Sequence, residues 1–232
     1  MYATLDEYRS FIAPRRREGY KEDSTWLVLQ YDTRPLTEID KAFVDRNRAY
    51  CQRHGYDYQM VTEDDGTMPP YWTKVSLAQR RLKMYKGVMW LDTDAVIVSE
   101  TAIESLVPKD KHMLFAPDAP LWALRSPFNA GVWMVRNTEQ GHSIMNQWME
   151  RYDPNQWYKE GASWRSNGIW AGDTYEQGAF SSFVLPNVKN WVHSADWTLL
   201  QGVKKTDQAF SLHFSDNQKS LRQSFLGVAH ED

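Results

Sequence analysis

The first half of the chain alternates short apolar runs with longer segments in which apolar residues recur at helical spacing. The run Trp26–Tyr31 (WLVLQY) and residues 56–61 (YDYQMV) are rich in strand-forming residues, and we predict a strand in each. Between them, Glu38–His54 has the apolar spacing of a helix, and Gly55 stands where a helix stop belongs. The pattern therefore predicts a strand, a helix and a second strand in succession.

The same alternation continues into a second helix and a third strand. After a proline-containing loop, apolar residues recur at helical intervals between basic ones: Val75, Ala78, Leu82 and Tyr85. This spacing predicts an amphipathic helix that ends near Gly87. Residues 87–99 (GVMWLDTDAVIVS) then form an apolar run that predicts a buried strand. Alternating strands and helices predict right-handed βαβ units, and hence a Rossmann-like α/β fold with a mostly parallel sheet flanked by helices.

The second half of the chain has a weaker pattern. Residues 111–116 and 130–136 are strand candidates, while Ile144 and Trp148 mark one face of a helix. Residues 153–180 are rich in Gly, Trp, Asn and Ser and show little periodicity. Because long irregular segments of compact domains are often binding loops, we expect ligand contacts there.

The composition limits the possible functions. With 232 residues, of which 42% are hydrophobic, we expect one domain over residues 1–232, with residues 1–24 as a peripheral segment. The formal net charge of -3 argues against the broad basic face of a nucleic-acid binding protein. Cys51 is the only cysteine, which excludes an internal disulfide. The chain has no signal peptide or membrane-span pattern, which predicts a soluble or cytoplasmic protein, or a catalytic domain excised from an anchored parent.

Two aspartates interrupt the third predicted strand. Asp92 and Asp94 would lie on one face of it, with Thr93 turned away, because side chains alternate along a strand. Buried carboxylates require a cation, hydrogen bonds or a proton. Two oxygen ligands on one face suit Mg²⁺ or Mn²⁺ holding a diphosphate, and ligands bind beyond the carboxyl ends of such strands. The pair therefore predicts a metal-dependent site for a phosphorylated substrate.

A set of motifs in a fixed order carries a family resemblance. The motifs are NRAYCQRHGY, YWTKV, WLDTDAVIV, FNAGVWMVRN, EQGAF and HFSD, within roughly residues 26–216. With them the chain resembles the family of yeast galactosyltransferases and mannosyltransferases that build galactomannan and mannan, which includes the plant xyloglucan xylosyltransferases. The resemblance implies a GT-A fold, a nucleotide-sugar donor with UDP favoured, a saccharide acceptor and a divalent metal, Mn²⁺ or Mg²⁺.

The resemblance also implies a metal-ligand set. Asp92 would contact the donor ribose or the metal, Asp94 would bind the metal, and His213 would complete the site. Mn²⁺ accepts imidazole beside carboxylates more readily than Mg²⁺ does, which fits this set.

Further positions follow from the same resemblance. The residues that would bind the donor are Tyr31, Asp32, Lys74, Asp92, Asn129, Gly131 and Lys219. The first two would hold the nucleoside, the lysines would neutralise phosphate, and the Asn-Gly pair would line the sugar pocket, with the glycine permitting close approach. The residues beside the reacting sugar carbon would be Asp173, Glu176 and Gln177. The glutamine would steady an oxocarbenium-like transition state, and a carboxylate would orient the acceptor or act as base.

Two other interpretations compete with a glycosyltransferase. A haloacid-dehalogenase-like phosphatase also places a DxD motif after an apolar strand, but it needs the nucleophilic aspartate on the first strand. A carbohydrate-binding module would explain the aromatic residues as stacking platforms, namely Trp122, Trp133, Trp157, Trp164 and Trp170. That module leaves the aspartates and His213 without a role. The sequence as a whole predicts a metal-dependent glycosyltransferase.

Overall fold

The computed structural model describes residues 25–120, 126–215 and 218–227. Its strands are β1 (Trp26–Tyr31), β2 (Asp57–Val61), β3 (Gly87–Leu91), β4 (Ala95–Ile97), β5 (Met113–Phe115), β6 (Val132–Arg136), β7 (Trp157–Glu160), β8 (Ser163–Ser166), β9 (Val192–Ser194) and β10 (Ser211–His213). Its helices are α1 (Glu38–His54), α2 (Pro70–Leu82), α3 (Ile103–Leu106), α4 (Glu139–Met149), α5 (Glu176–Ala179), α6 (Leu185–Val188), α7 (Trp197–Leu200) and α8 (Lys219–Leu226). A 3₁₀ turn spans Pro154–Gln156, and a π-helical turn spans Phe180–Val184.

A mixed sheet of mostly parallel strands forms the centre of the fold. Its strand order is β2–β1–β3–β6–β5–β9. β1 pairs in parallel with β2 and β3, and β5 pairs in parallel with β9. β6 runs antiparallel to both of its neighbours, so the other strands of this sheet share one direction. The predicted α/β architecture is confirmed.

The sheet is covered on both faces, as the alternation of buried side chains requires. Leu27 and Trp90 belong to the apolar core that includes α2 and α4 residues. Val28 and Met89 belong to the core on the opposite face, which contains Cys51 of α1. The central strands β1 and β3 are therefore buried on both faces of the sheet, which explains why their sequences are almost continuously apolar.

The two predicted helices of the first half are present, with one change of length. α1 begins at a capping box between Thr37 and Asp40 and ends at Gly55, which has a left-handed φ of 70°. The predicted extension of the second helix to near Gly87 is wrong, because α2 ends at Leu82. The chain must turn within a few residues there, since Lys86 N–H donates to the Thr25 carbonyl at 2.8 Å beside β1.

The predicted strand over residues 87–99 is also wrong, because it is two strands in different sheets. β3 ends at Leu91, and the Ala95 N–H closes a turn on the Asp92 carbonyl at 3.0 Å. β4 then pairs antiparallel with β10. Aspartates favour such turns because their side chains compete for local hydrogen bonds. Asp92 and Asp94 therefore lie in a turn and do not share a strand face.

Asn47 of α1 holds this change of sheet in place. Its buried side chain donates to the Ala95 carbonyl at 3.1 Å and accepts from the Ile97 N–H at 2.8 Å. These bonds satisfy backbone groups on the edge of β4 that faces away from β10. The first resemblance motif thus has a structural role at the aspartate turn.

In the second half, β5 and β6 confirm the two strand candidates within shorter bounds. Residues 153–180 contain an ordered antiparallel hairpin, β7–β8, which the weak periodicity did not predict. The platform interpretation is wrong for Trp133 and Trp157, whose side chains are buried in the core. Trp122 and residues 1–24 lie outside the described residues. Among the described helices, none has the length and apolar character needed to span a membrane.

Candidate functional site

A cavity of about 860 Å³ opens beyond the carboxyl ends of β1 and β3. Small-molecule sites commonly measure roughly 300–1,000 Å³, so this volume suits a large ligand. Most of the predicted site residues line it: Tyr31, Asp32, Lys74, Asp92, Asp94, Asn129, Gly131, Glu176, Gln177 and His213. The structure thus brings to one cavity residues that are up to 182 positions apart in the sequence.

The three predicted metal ligands converge on one wall of this cavity. Asp92, Asp94 and His213 each offer one ligand atom, and these atoms lie within 4.8 Å of one another. The pairing of β10 with β4 places His213 opposite Ala95, directly beside the aspartate turn. Oδ1 of Asp94 is buried 3.2 Å from His213 Nε2, which can donate to it only when the ring is protonated; beside a neutral ring this oxygen has no donor among the described residues. A buried carboxylate oxygen in this state fits a cation.

The Asp94 and His213 side chains perturb each other. Burial alone would lower the pKa of His213, but the Asp94 carboxylate outweighs it and raises that pKa above its usual value. Burial would raise the pKa of Asp94, and the neighbouring imidazole lowers it below its usual value instead. Each group thus favours the charged form of the other, and a divalent cation would replace the shared proton.

Gln201 fixes the orientation of the His213 ring. The Gln201 Nε2 group donates to the Val132 carbonyl at 3.2 Å, so its oxygen faces His213 Nδ1 at 2.7 Å. Because that oxygen can only accept, Nδ1 carries the hydrogen, and the lone pair of the neutral ring lies on Nε2. Nε2 is the nitrogen that faces Asp94. Sequence reasoning missed Gln201, since nothing in its local sequence marks it.

Gly131 makes room for this ring. A Cβ atom at Gly131 would lie 2.2 Å from Cε1 of His213 and 2.7 Å from each of its nitrogens. Only glycine therefore fits beneath the imidazole. Gly131 lines the cavity as predicted, but the close approach that needs a glycine is that of His213. The donor set, the buried oxygen of Asp94 and this cradle together fit a divalent metal.

Asp92 is held by a buried lysine and a tryptophan. Lys74 Nζ lies 3.0 Å and 3.2 Å from the two Asp92 oxygens, and Trp90 Nε1 donates to Oδ1 at 2.7 Å. Lys74 Nζ also lies 3.3 Å from Glu176 Oε1. Burial would lower the pKa of Lys74, but the two carboxylates outweigh it and keep the ammonium charged. Burial raises the pKa of Glu176, which Lys74 only partly offsets.

The carboxylate of Asp32 joins the end of β1 to the aspartate turn. It accepts hydrogen bonds from Arg34 Nη2 at 2.7 Å and from the Thr93 hydroxyl at 2.9 Å. Burial would raise the pKa of Asp32, and the bonds from Arg34 outweigh it, so that pKa is lowered. The neighbouring Tyr31 hydroxyl donates to Asp64, and burial raises the pKa of Tyr31. Thr93 therefore points to Asp32, which ties the aspartate turn to the end of β1.

A polar network connects the predicted sugar and catalytic residues. Asn129 donates to Asp118, and Gln177 Nε2 lies 3.4 Å from the other oxygen of that carboxylate. Gln177 Oε1 accepts from the Ala130 N–H at 3.0 Å. Asp118, which lines the cavity, was missed from the sequence. Its position just after the strand candidate over residues 111–116 is the signal that could have identified it.

Two predicted site residues are not brought to this cavity by the described part of the chain. Asp173 is exposed, lies off the described cavity wall and accepts a hydrogen bond from the Ser182 hydroxyl at 2.6 Å. Lys219 begins α8, but its side chain lies outside the described atoms.

Curated relatives of this chain include two yeast proteins. The alpha-1,2-galactosyltransferase of Schizosaccharomyces pombe is 23% identical over 50% of this chain and 41% of the relative. An uncharacterized alpha-1,2-galactosyltransferase of the same yeast is 22% identical over the same shares. The chain spans less than half the length of these relatives.

Solved structures share the fold at low identity. A glycosyltransferase involved in the glycosylation of the major capsid of PBCV-1 has a TM-score of 0.63 and 16% identity, covering 86% of this chain and 99% of that one. The glycosyltransferase GlyE of Streptococcus pneumoniae TIGR4 has a TM-score of 0.50 and 11% identity, covering 90% and 61%. The fold is that of the GT-A glycosyltransferases.

The family profile described as nucleotide-diphospho-sugar transferase matches residues 23–202, which is most of the chain. This match favours glycosyl transfer over the phosphatase and binding-module interpretations. The matched range includes the aspartate turn, Lys74 and Gln177, while His213 follows it in the chain. By its match to this profile, the chain belongs to the nucleotide-diphospho-sugar transferase family.

Proposed function

We propose that this protein transfers a sugar from a UDP-sugar to a saccharide hydroxyl, with Mn²⁺ or Mg²⁺ held by Asp92, Asp94 and His213. The observation that carries the proposal is the convergence of these three side chains on one cavity wall, with ligand atoms within 4.8 Å of one another. The buried Oδ1 of Asp94, which has only the His213 ring beside it at 3.2 Å among the described contacts, supports a cation at this position.

The chemistry of the ligand set favours Mn²⁺ over Mg²⁺. Mg²⁺ prefers oxygen ligands alone, whereas Mn²⁺ tolerates an imidazole beside carboxylates. When bound, the cation would offset the negative charge that develops on the departing UDP. The protein contributes the rigid placement of the ligands, since Gln201 fixes the imidazole and Lys74 fixes Asp92.

The donor would lie across the wall that runs from β1 to Asn129. We assign the nucleoside to the side of Tyr31 and Asp32, where Asp32 positions the Arg34 side chain, which is 78% exposed. Lys74 adds positive charge beside the phosphates, and Lys219 is a second candidate for that role. Since sugar hydroxyls both donate and accept hydrogen bonds, Asp118 and Asn129 would hold the transferred sugar beside Gly131.

The reacting carbon of the sugar would face Glu176 and Gln177. The Gln177 amide is held by bonds to Ala130 and Asp118, so its oxygen presents a fixed partial negative charge to an oxocarbenium-like transition state. Glu176 is buried, and burial raises its pKa, which suits a group that exchanges a proton with the acceptor. A role for Asp173 requires an acceptor that extends over the exposed outer side of this loop.

The names of the curated relatives suggest which donor to test first. Both are called alpha-1,2-galactosyltransferases, so UDP-galactose heads a panel that also contains UDP-glucose, UDP-xylose and GDP-mannose. Hydrolysis of each donor is followed with Mn²⁺, with Mg²⁺ and with chelator. We expect metal-dependent hydrolysis of a UDP-sugar. Equal turnover in chelator would refute the metal assignment, and a preference for GDP-mannose would refute the UDP assignment.

The ligand role of Asp94 is tested by Asp94→Asn, with Asp110→Asn as the matched control. Asp110 is exposed and lies away from the cavity. We expect Asp94→Asn to lose most Mn²⁺ affinity, measured by calorimetry in the presence of UDP, and most hydrolysis. Its melting temperature in chelator should stay close to that of the wild type. Full Mn²⁺ affinity and activity in Asp94→Asn at limiting metal would overturn the proposal.

A further inference from the structure

A tryptophan stands on the cavity wall formed by the β7–β8 hairpin and the loop that follows it. Trp170 lines the cavity and is 66% exposed, which is unusual for so large an apolar side chain. Tyr71 and Tyr175 meet its ring at centroid distances of 5.4 Å and 5.1 Å, both in edge geometry. The indole is therefore fixed by packing and yet accessible from the cavity.

The loop that carries Trp170 has an unusual backbone conformation and packs closely against α5. Ala171 has a φ of 55°, a left-handed conformation that side chains disfavour, and it also lines the cavity. Gly178 of α5 admits this loop, since a Cβ there would lie 2.2 Å from the Gly172 carbonyl oxygen. Strained backbone of this kind persists where the surrounding packing imposes it, and such positions cluster at ligand sites.

The other two tryptophans of this hairpin expose less of their surface. Trp157 of β7 is buried, and Trp164, which also lines the cavity, is half-buried with Lys159 Nζ over its ring at 5.0 Å. Trp170 presents the exposed aromatic surface, on the same cavity as Asp94 and Gln177. Sugars carry flat patches of C–H groups that stack on aromatic rings, and a ring fixed in advance loses little conformational freedom when it binds.

We propose that Trp170 is the stacking platform for the acceptor saccharide, which would bind through a flat C–H face. This inference rests on the proposed function, because it assigns an acceptor to the same cavity in which the donor is proposed to bind. Ser163 and Arg165 of β8 line the same cavity and would offer hydrogen bonds to the hydroxyls of the acceptor.

The platform is tested by saccharide binding, which requires no turnover. Saturation-transfer NMR titrations with the methyl glycosides of galactose, mannose, glucose and xylose are run on the wild type, Trp170→Ala, Trp170→Phe and Ile169→Ala, with UDP and Mn²⁺ present and absent. Ile169 is the matched control, because it is the adjacent residue, is 81% exposed and does not line the described cavity. Calorimetry separately measures the affinity of each variant for UDP and Mn²⁺ at the proposed donor site.

We expect Trp170→Ala to weaken glycoside binding about tenfold, which corresponds to about 1.4 kcal/mol. Trp170→Phe should retain most of the affinity, and Ile169→Ala should bind like the wild type. Unchanged binding in Trp170→Ala, equal loss in Ile169→Ala, or no glycoside binding by the wild type would each overturn the platform. Failure of UDP and Mn²⁺ to bind would refute the proposed function, while the glycoside titrations would still decide the role of Trp170.

Discussion

Replacing Gly131 by alanine should disable the metal site while leaving the metal ligands themselves unchanged. The added Cβ would lie 2.2 Å from Cε1 of His213, whereas ordinary contacts begin near 3.4 Å. The imidazole must therefore move by about 1 Å, and metal-ligand distances tolerate only about 0.2 Å. Since disturbing the support of a ligand already costs 10–100-fold in affinity, we expect Mn²⁺ binding to weaken about 100-fold.

The expected effect on stability follows from ligand linkage. At a concentration of Mn²⁺ equal to 100 times the wild-type Kd, binding raises the free energy of unfolding by about 2.7 kcal/mol. With the affinity 100-fold weaker, the same concentration contributes about 0.4 kcal/mol. For a domain of this size the Mn²⁺-induced rise in Tm would fall from roughly 5–11 °C to about 1–2 °C. In chelator, overpacking should lower the stability of the variant by about 1–3 kcal/mol.

The measurement is a set of thermal melts with UDP present, in chelator and in Mn²⁺, supported by Mn²⁺ calorimetry. Gly202→Ala is the matched control, because a Cβ there meets its nearest atom, the Thr198 carbonyl oxygen, at 3.3 Å, a mildly tight contact that needs a shift of only a few tenths of an ångström. That variant should keep the wild-type response to Mn²⁺. If Gly131→Ala shows the full Mn²⁺ shift, His213 does not bind the metal in the position that the structure gives it.

Three further substitutions test the supports of the site. Gln201→Leu leaves the buried Nδ1–H of His213 without an acceptor, so calorimetry should show Mn²⁺ affinity reduced about 10–100-fold; unchanged affinity would contradict the role of Gln201. Lys74→Met leaves the buried Glu176 and the half-buried Asp92 without their cation, and urea unfolding should show a loss of about 3–5 kcal/mol, partly restored by adding Glu176→Gln. The pKa of Asp32 is lowered in the fold, so its contribution to stability is present above the unfolded pKa of about 3.9 and is lost as pH falls. Asp32→Asn should therefore flatten the acid limb of the unfolding free energy relative to the wild type, and parallel limbs would contradict this.

The regular part of the fold could be predicted because local signals and tertiary structure agree there. A short apolar run rich in strand-forming residues predicts β1, helical apolar spacing predicts α1, and Gly55 ends α1 in the left-handed conformation that favours glycine. The end of α2 was missed because Tyr85 continues the helical apolar spacing while packing against the core from outside the helix. Apolar spacing reports burial, and burial alone does not separate a helix from the turn that follows it.

The candidate site was predicted in part through the order of its motifs. His213 has no local signal of its own, and only its place in that order connects it with Asp92 and Asp94. Gln201 and Asp118 went unrecognised because they act through contacts between segments far apart in the sequence: Gln201 bridges β6 and β10, and Asp118 bridges Asn129 and Gln177. Such contacts depend on the register of strands, which a single sequence does not display.

The error over the aspartate strand shows how the metal site is built. Residues two apart on an extended strand are separated by about 6.6 Å along it, which holds their carboxylates apart. The turn between β3 and β4 contracts this segment, and the ligand atoms of Asp92, Asp94 and His213 come within 4.8 Å of one another. The turn also sends β4 out of the central sheet to pair with β10, whose register sets His213 opposite Ala95. A slip of one residue would turn the imidazole to the other face, so the apolar contacts of Leu212 and Val96 that fix this register also determine the metal site.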